Sequence, residues 1–446
     1  MGQKELKRLH LMEMVKVGKI TLKEAGEKIG VSYRQAKRIA RAIREIGIKG
    51  LVHGNRGRPS NNRLKESVRE RVLKLSREVY WDFNDTHFTE KLRECEGIDL
   101  NRETVRKLRR EAGLSAKRRR RGPKHRKRRE REAQEGWMVL WDGSPHAWFG
   151  SDYPPCCLMA AIDDATGRLL AARFFPFEGS TGYLWLLKEM VKNYGIPMVI
   201  YQDRHGALHR NDSHWNLEEQ LAGRQQPTQV GLALEALGIQ SICALSPQAK
   251  GRVEKLFATL QDRLGAELRL KGIVTLEEAN RFLQSAFLKV FNHRFAVSPR
   301  ESQKAWREVP KHLDLDRIIS FRYTATVGND NTVRLGGLVL DIAPGPQKRS
   351  YAKVKVEARQ LLNGSWKIYA KDQLIAKYAS TSLNEPIRAL PRNRNPVKGV
   401  QDYNWIYLAS APQKEANPLT LAESRSLIVA HPDDSLFRLM PLRNNL

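Results

Sequence analysis

Cysteine is scarce in this chain. The four present, Cys95, Cys156, Cys157 and Cys243, form no Cys-x-x-Cys pair and no zinc-finger spacing with histidine. That argues against structural zinc and for free, mostly buried thiols in a reducing cytoplasm. No stretch approaches the roughly 18 apolar residues of a membrane-spanning helix. The N-terminal MGQKELKRLH also lacks the apolar core of a secretory signal. No membrane partner and no export are therefore expected. Acidic residues are outnumbered as well: 49 Asp and Glu stand against 78 Lys and Arg in 446 residues, a formal charge of +29. That excess calls for a polyanionic partner, and double-stranded DNA is the expected one. The length implies several domains, and an apolar content of 41% suffices for their cores.

Residues 1–50 are expected to form a helix-turn-helix domain. Thr21 is placed to cap a helix with Glu24 three residues on, and Leu22, Ala25 and Ile29 make its apolar face. Gly30 breaks that helix and Ser32 caps the next, where Ala36, Ile39, Ala40 and Ile43 recur at helical spacing. Arg34, Gln35, Lys37, Arg38 and Arg41 lie on the opposite face, as a recognition helix requires. After a Gly-, Pro- and Asn-rich linker at 51–63, residues 64–115 repeat the scheme. Phe88, Leu92 and Cys95 are candidate core, Gly97 a stop and Asn101 a cap. Val105 and Leu108 are expected inward, and Arg102, Arg106, Lys107, Arg109 and Arg110 outward. A basic linker at 116–132 follows, with Lys117, Arg118, Arg119, Arg120 and Arg121 as candidate phosphate contacts.

From residue 133 to 305 the texture is that of an α/β core. WMVLW (137–141), CCLMAAI (156–162) and RLLAARFF (168–175) predict three consecutive strands, and 181–195 a helix. PMVIY (197–201) and GIQSICAL (238–245) predict two more strands, with helices at about 248–268 and 276–292 closing the domain. This is the element order of an RNase H-like fold with a mixed five-stranded sheet. Asp142 is expected at the end of the first strand and Asp203 at the end of the fourth, its neighbour in that fold. Glu254 sits on the helix after the fifth strand, at the edge of a buried stripe of Val253, Leu256, Phe257, Leu260 and Leu264.

Two carboxylates at strand ends and a third on a helix suit a pair of Mg2+ ions, which prefer carboxylate oxygens and keep bound waters. Two such ions about 4 Å apart stabilise both the attacking and the leaving oxygen of a phosphodiester. Mn2+ is expected to substitute. Asp163 and Asp164, in AIDDATG, are better explained as a hairpin turn. His205, two residues past Asp203, is a candidate for phosphate contact or proton transfer. Lys250 and Arg252 are placed to hold DNA beside Glu254.

WDGSPHAWF, AIDDATGRLLAARF, IYQDRHGAL and SPQAKGRVEKLFATLQDRL together resemble the integrase-type core of DDE transposases, with the nearest likeness to the ISNCY-type insertion-sequence transposases. The resemblance spans roughly residues 1–385. It implies that Asp142, Asp203 and Glu254 are the catalytic metal ligands and that the chain is a cytoplasmic, nucleoid-associated bacterial enzyme. Such an enzyme binds terminal inverted repeats, hydrolyses the strand at the element end and joins its 3′-hydroxyl to target DNA, working as at least a dimer. The gap from Asp203 to Glu254 is longer than is usual for such cores, and the excess falls in 210–229 as an inserted loop or helix. NHRFAVSPRES (292–302) resembles the family's structural closing segment. Short strands in 315–382 predict a small SH3-like β-barrel, and 383–446 an extended tail. The rival readings are an inactive transposase-derived DNA-binding regulator and an RNase H-like nuclease without strand transfer.

Overall fold

The computed structural model describes residues 2–52, 56–57, 63–117, 122, 129–210, 214–244 and 251–381. The expected linker at 51–63 and basic run at 116–132 fall largely outside them, and the tail at 383–446 wholly so. The first unit has three helices: α1 (Gln3–Lys16), α2 (Leu22–Ile29) and α3 (Tyr33–Ile46). The α2–α3 pair carries the expected caps. The Thr21 hydroxyl accepts from the Glu24 amide at 3.2 Å, and the Glu24 carboxylate accepts from the Thr21 amide at 2.8 Å. Gly30 turns the chain at φ +79°, in the left-handed region that favours glycine, and Ser32 caps α3 through the Gln35 amide. The sequence reading leaves out α1. Its Met12 completes a small core with Ala25, Ala36, Ile39 and Leu51.

The second unit comprises α4 (Glu66–Glu78), α5 (Asp85–Glu94) and α6 (Arg102–Glu111). The side-chain carbonyls of Asn84 and Asn101 cap α5 and α6, accepting from the His87 and Glu103 amides at 2.8 Å each. Two expectations fail here. Cys95 is exposed, because α5 ends at Glu94 and Cys95 is only its C-cap. Arg109 is not on the outer face. It lies one turn beyond Val105 and beside Leu108, is 4% exposed, and donates to Asp85 Oδ1 at 2.8 Å and to the Phe83 carbonyl at 3.1 Å.

The core sheet has strands β1 (Met138–His146), β2 (Cys156–Asp163), β3 (Leu169–Phe175), β4 (Val199–Gln202) and β5 (Gln240–Cys243), in the order β3-β2-β1-β4-β5. The first three pair antiparallel, and β4 and β5 run parallel to β1. The mixed five-stranded sheet and the β1–β4 adjacency are as expected. One placement differs: Asp142 is inside β1, not at its end. β2 pairs with β1 without a break from Val139↔Asp163 to His146↔Cys156, so the antiparallel ladder carries β1 four residues past Asp142.

Helices cover both faces. α7 (Ser180–Tyr194) and α9 (Gln229–Ala236) bury Leu184, Leu187 and Val230 against Val139, Trp141 and Ile200. Between β4 and α9 lies the insertion, with a short helix α8 (Leu217–Ala222). It is pinned by the Glu219 carboxylate, which caps at the Asn216 amide, accepts from the Gln226 amide and pairs with Arg210. On the other face α10 (Gly251–Leu270), α11 (Leu276–Phe282) and α12 (Leu288–Phe295) bury Val253, Leu256, Phe257 and Leu283 against Leu140, Leu158 and Ala160. A π-helical segment, Leu283–Phe287, joins α11 to α12. The side-chain amides of Asn280 and Asn292 each bond both backbone groups of one β3 residue, Phe174 and Leu169. That gives the closing segment the structural role expected of it.

A short helix, α13 (Leu315–Ile318), leads into the C-terminal strands β6 (Phe321–Thr326), β7 (Thr332–Leu335), β8 (Leu338–Asp341), β9 (Lys355–Gln360), β10 (Trp366–Ala370) and β11 (Gln373–Tyr378). The small all-β unit is there, but among the described residues it is not a closed barrel. Four strands pair as β11-β10-β9-β6, and β7-β8 stand apart as a hairpin. The break comes at Val327 and Gly328, where the chain bonds to Val354 and Thr332 and turns out of the β6 ladder. Among the described residues no helix is long and apolar enough to cross a membrane.

The second helical unit is seated on α10. Ala266 lies in the same apolar cluster as Val72, Phe88 and Leu92. Beside it His87 Nε2 and Lys91 Nζ both meet Glu267 Oε1, at 2.8 and 2.7 Å. Burial holds the His87 pKa below its ordinary 6.5, with Arg263 and Lys91 adding repulsion and Glu267 opposing the shift. A histidine whose pKa falls on folding takes its proton more readily when unfolded. Its contribution is therefore intact above about pH 6.5 and lost as pH falls. The thermal midpoint is expected to drop as pH is lowered from about 7 to about 5.5, with a shallower slope in His87→Gln. Equal slopes in the two proteins would rule out His87 as the source.

Candidate active site

The pleat of β1 decides which way its side chains point. Val139 and Trp141 enter the core under α7 and α9, whereas Leu140 enters the core under α10. Ser144 also faces α10, since its hydroxyl accepts from the Gln261 amide nitrogen at 3.1 Å. Asp142, between Leu140 and Ser144 in this alternation, belongs to the α10 face. The same holds for β4. Ile200 packs under α7, Tyr201 under α10, and Gln202 turns back to accept a buried hydrogen bond from Trp141 Nε1 at 3.1 Å. Asp203 follows directly on the end of β4.

The parallel register pairs Leu140 with Tyr201, and the Trp141–Gln202 bond continues it by one step. Asp142 and Asp203 are the residues that come next on the two chains. Both are half-buried. Glu254 lies in the first turns of α10, next to the fully buried Val253, and is itself exposed. Among the described residues no three His, Cys, Asp or Glu side chains gather as a group that could hold a metal ion. The structure thus carries Asp142 within β1, Asp203 just past β4 and Glu254 on α10, without gathering all three. As donors, carboxylate oxygens suit a hard divalent cation rather than a soft one.

A fourth acid, absent from the sequence reading, stands beside the aspartates. Glu178 lies in the turn between β3 and α7 and accepts from the Tyr183 hydroxyl at 2.5 Å. Its carboxylate lies directly over Gly143, where any β-carbon would collide with it. Burial pushes the Tyr183 hydroxyl pKa far up, and the charges of Glu178, Asp142 and Asp203 push it further, so one phenol senses all three carboxylates. The only trace of Glu178 in the sequence is a Phe-Glu-Gly-Ser turn ahead of an apolar helix, which carries no chemical pattern. His205 joins this group. Its backbone amide donates to Asp203 Oδ1 at 2.9 Å, its Nδ1 accepts from the Ala207 amide at 3.3 Å, and Nδ1 lies 3.9 Å from Glu178 Oε1.

Asp163 and Asp164 are the turn they were expected to be. Asp163 accepts from the Gly136 amide and from both donors of Thr166, and burial raises its pKa. Asp164 is buried between Arg129 and Arg252. Arg252 is therefore committed to Asp164 and to the Arg129 carbonyl, and not spread toward the surface near Glu254. Two other expected DNA contacts are also engaged internally. Arg110 binds Asp85 at 2.5 Å and the Leu114 carbonyl at 2.8 Å. Lys117 binds Asp262 through its carboxylate at 3.2 Å and its carbonyl at 2.7 Å. Exposed, as expected, are Arg34, Gln35, Lys37, Arg38 and Arg41 on α3, and Arg102, Arg106 and Lys107 on α6. Arg118, Arg119, Arg120, Arg121 and Lys250 lie outside the described residues.

A helix-turn-helix domain family matches residues 7–60. A putative transposase of Sinorhizobium fredii, y4bF, is 38% identical over 318 residues, which are 71% of this chain and 67% of that protein. The transposase for insertion sequence IS1202 of Streptococcus pneumoniae is 32% identical over 364 residues, which are 74% of this chain and 76% of that protein. Among solved structures, the HTLV-2 integrase catalytic core domain in complex with magnesium aligns at 16% identity and a TM-score of 0.24, over 34% of this chain and 84% of that one. At such a score the likeness decides nothing further.

The Tyr183–Glu178 bond is open to a direct test. Tyr183→Phe removes the donor from a largely buried carboxylate, and is expected to lower unfolding free energy by about 1 to 3 kcal/mol in denaturant titration. An unchanged midpoint would show that the bond does not form in solution.

Proposed function

The chain belongs to the transposases of DNA insertion sequences, and from that premise we propose that it cuts DNA at the ends of its element and joins the freed 3′-hydroxyl to a target. The observation that supports this reading is the parallel register of β1 and β4, which pairs Leu140 with Tyr201 two residues ahead of Asp142 and Asp203, with Glu254 on the helix that packs on that sheet. Asp142, Asp203 and Glu254 would hold two Mg2+ ions, with Mn2+ as substitute. Bound there, such ions stabilise charge on the attacking and leaving oxygens of the phosphodiester. The protein's own part is to orient. The sheet fixes the two aspartates, Glu178 and Tyr183 fix each other beside them, and the backbone amide of His205 holds Asp203. The likeness of the motifs to ISNCY-type enzymes is part of the same proposal.

Selection of the end falls to the helical units. The exposed side chains of α3, Arg34, Gln35, Lys37, Arg38 and Arg41, form a recognition surface for the major groove. Arg102, Arg106 and Lys107 on α6 form a second basic face. Two ends have to be joined, so the working form on DNA is at least a dimer. Its place of work is the bacterial nucleoid in the cytoplasm, where that DNA lies.

Asp142→Asn, Asp203→Asn and Glu254→Gln are each expected to retain end binding. Each should lose Mg2+-dependent cleavage and joining by about a thousandfold or more. The assay is labelled end DNA incubated with a target plasmid. Joined product from the wild type supports transposition, nicked end DNA alone supports a nuclease, and bound but uncut DNA supports a regulator. Cleavage retained in any of the three variants removes that residue from the catalytic set.

A further inference from the structure

One helix carries Glu254 at one end and the second helical unit at the other. The first turns of α10 pack Val253, Leu256 and Phe257 under the sheet. Its second half is the seat of α4–α6, with Ala266 in that unit's apolar cluster and Leu270 packed against it. Polar contacts close the seam around this patch. Arg263 pairs with Glu90 at 2.6 Å, and Arg294 of α12 bridges Glu90 and Glu94 at 2.7 and 2.6 Å. Arg269 holds Asp82 through two hydrogen bonds, at 2.5 and 2.9 Å, and donates to the Val79 carbonyl at 2.8 Å. Isolated surface pairs contribute little. These share partners, surround buried apolar contact and include the buried Glu267 with His87 and Lys91, so they act as one network.

We propose that α4–α6 and the catalytic sheet form a single block, and that the α10 seam sets where along the end DNA the cut falls. This rests on the reading that the exposed face of α6 contacts that DNA. A tethered reader leaves the distance between the bound bases and the cut phosphate to a flexible linker. A seated one fixes it. From Glu254 to Ala266 the helix spans about 18 Å, roughly five base-pair steps of duplex. Arg263, Arg269, Arg294, Glu90 and Asp82 are therefore positioning residues for the cut, although none of them touches the reacting groups.

Arg269→Asp sets a carboxylate against Asp82 and the Val79 carbonyl and leaves the aspartates, Glu254 and the α6 face untouched. Full-length protein is incubated with end-labelled element DNA, and cuts are mapped to the nucleotide while amide exchange is followed on α5. Exchange on α5 is expected to rise and end binding to persist. Cutting at the wild-type position should fall about tenfold or more, with new cuts at neighbouring positions. The charge swap Asp82→Arg with Arg269→Asp should restore the single cut. A loosened α5 with cutting still confined to the wild-type position overturns the proposal. If Arg269→Asp leaves the seam closed, Ala266→Arg, which forces a cation into its apolar centre, carries the same test. The underlying reading of α6 fails separately: Arg102→Glu, Arg106→Glu and Lys107→Glu combined would then bind end DNA like the wild type.

Discussion

The site depends first on register. A one-residue slip between β1 and β4 would send Asp142 and Asp203 to opposite faces of the sheet, because side chains alternate along each strand. The buried hydrogen bond from Trp141 Nε1 to Gln202 Oε1 opposes that slip. Both groups are shielded from water, so a slipped pairing would leave an indole donor and an amide acceptor unsatisfied, at about 1 to 3 kcal/mol each. The acids themselves contribute nothing to this choice. The residues just before them, Trp141 and Gln202, fix the two strands against each other through a bond buried under α7.

The positive charge divides into two populations. On α3, and on the outer face of α6, cations stand exposed and suit phosphate contact. A second set is spent inside the molecule: Arg109 and Arg110 on Asp85, Arg252 and Arg129 on Asp164, Arg263 and Arg294 on Glu90, Arg269 on Asp82. The total of +29 is thus an unreliable guide to which arginines meet DNA. Among the described residues, several arginines serve to fasten elements to one another.

How far this could be read in advance varies with the physical signal. The helix-turn-helix caps were legible because Thr21, Glu24, Gly30 and Ser32 act locally. The strands were legible because apolar runs of that length suit a buried sheet. The course of β1 past Asp142 was not legible, since it follows from the length of β2, a non-local partner. Arg109 was misassigned because a helical wheel treats any arginine as outward, whereas Asp85 and the Phe83 carbonyl accept it inside. Glu178 gave no pattern at all. A single acid in a turn acquires meaning only when folding sets it over Gly143 and beside Tyr183. The expected barrel failed for the same kind of reason: strand count is local, closure is not.

The side-chain amides of Asn280 and Asn292 have one more effect. Each occupies both the N–H and the C=O of a β3 residue on the outer edge of the sheet. An edge strand with free backbone groups is a template for another strand, and chains that expose one tend to aggregate. Here two asparagines from helices occupy that template at Leu169 and Phe174, which opposes extension of β3 by strand addition. An incoming strand would first have to displace both side-chain amides to pair with β3.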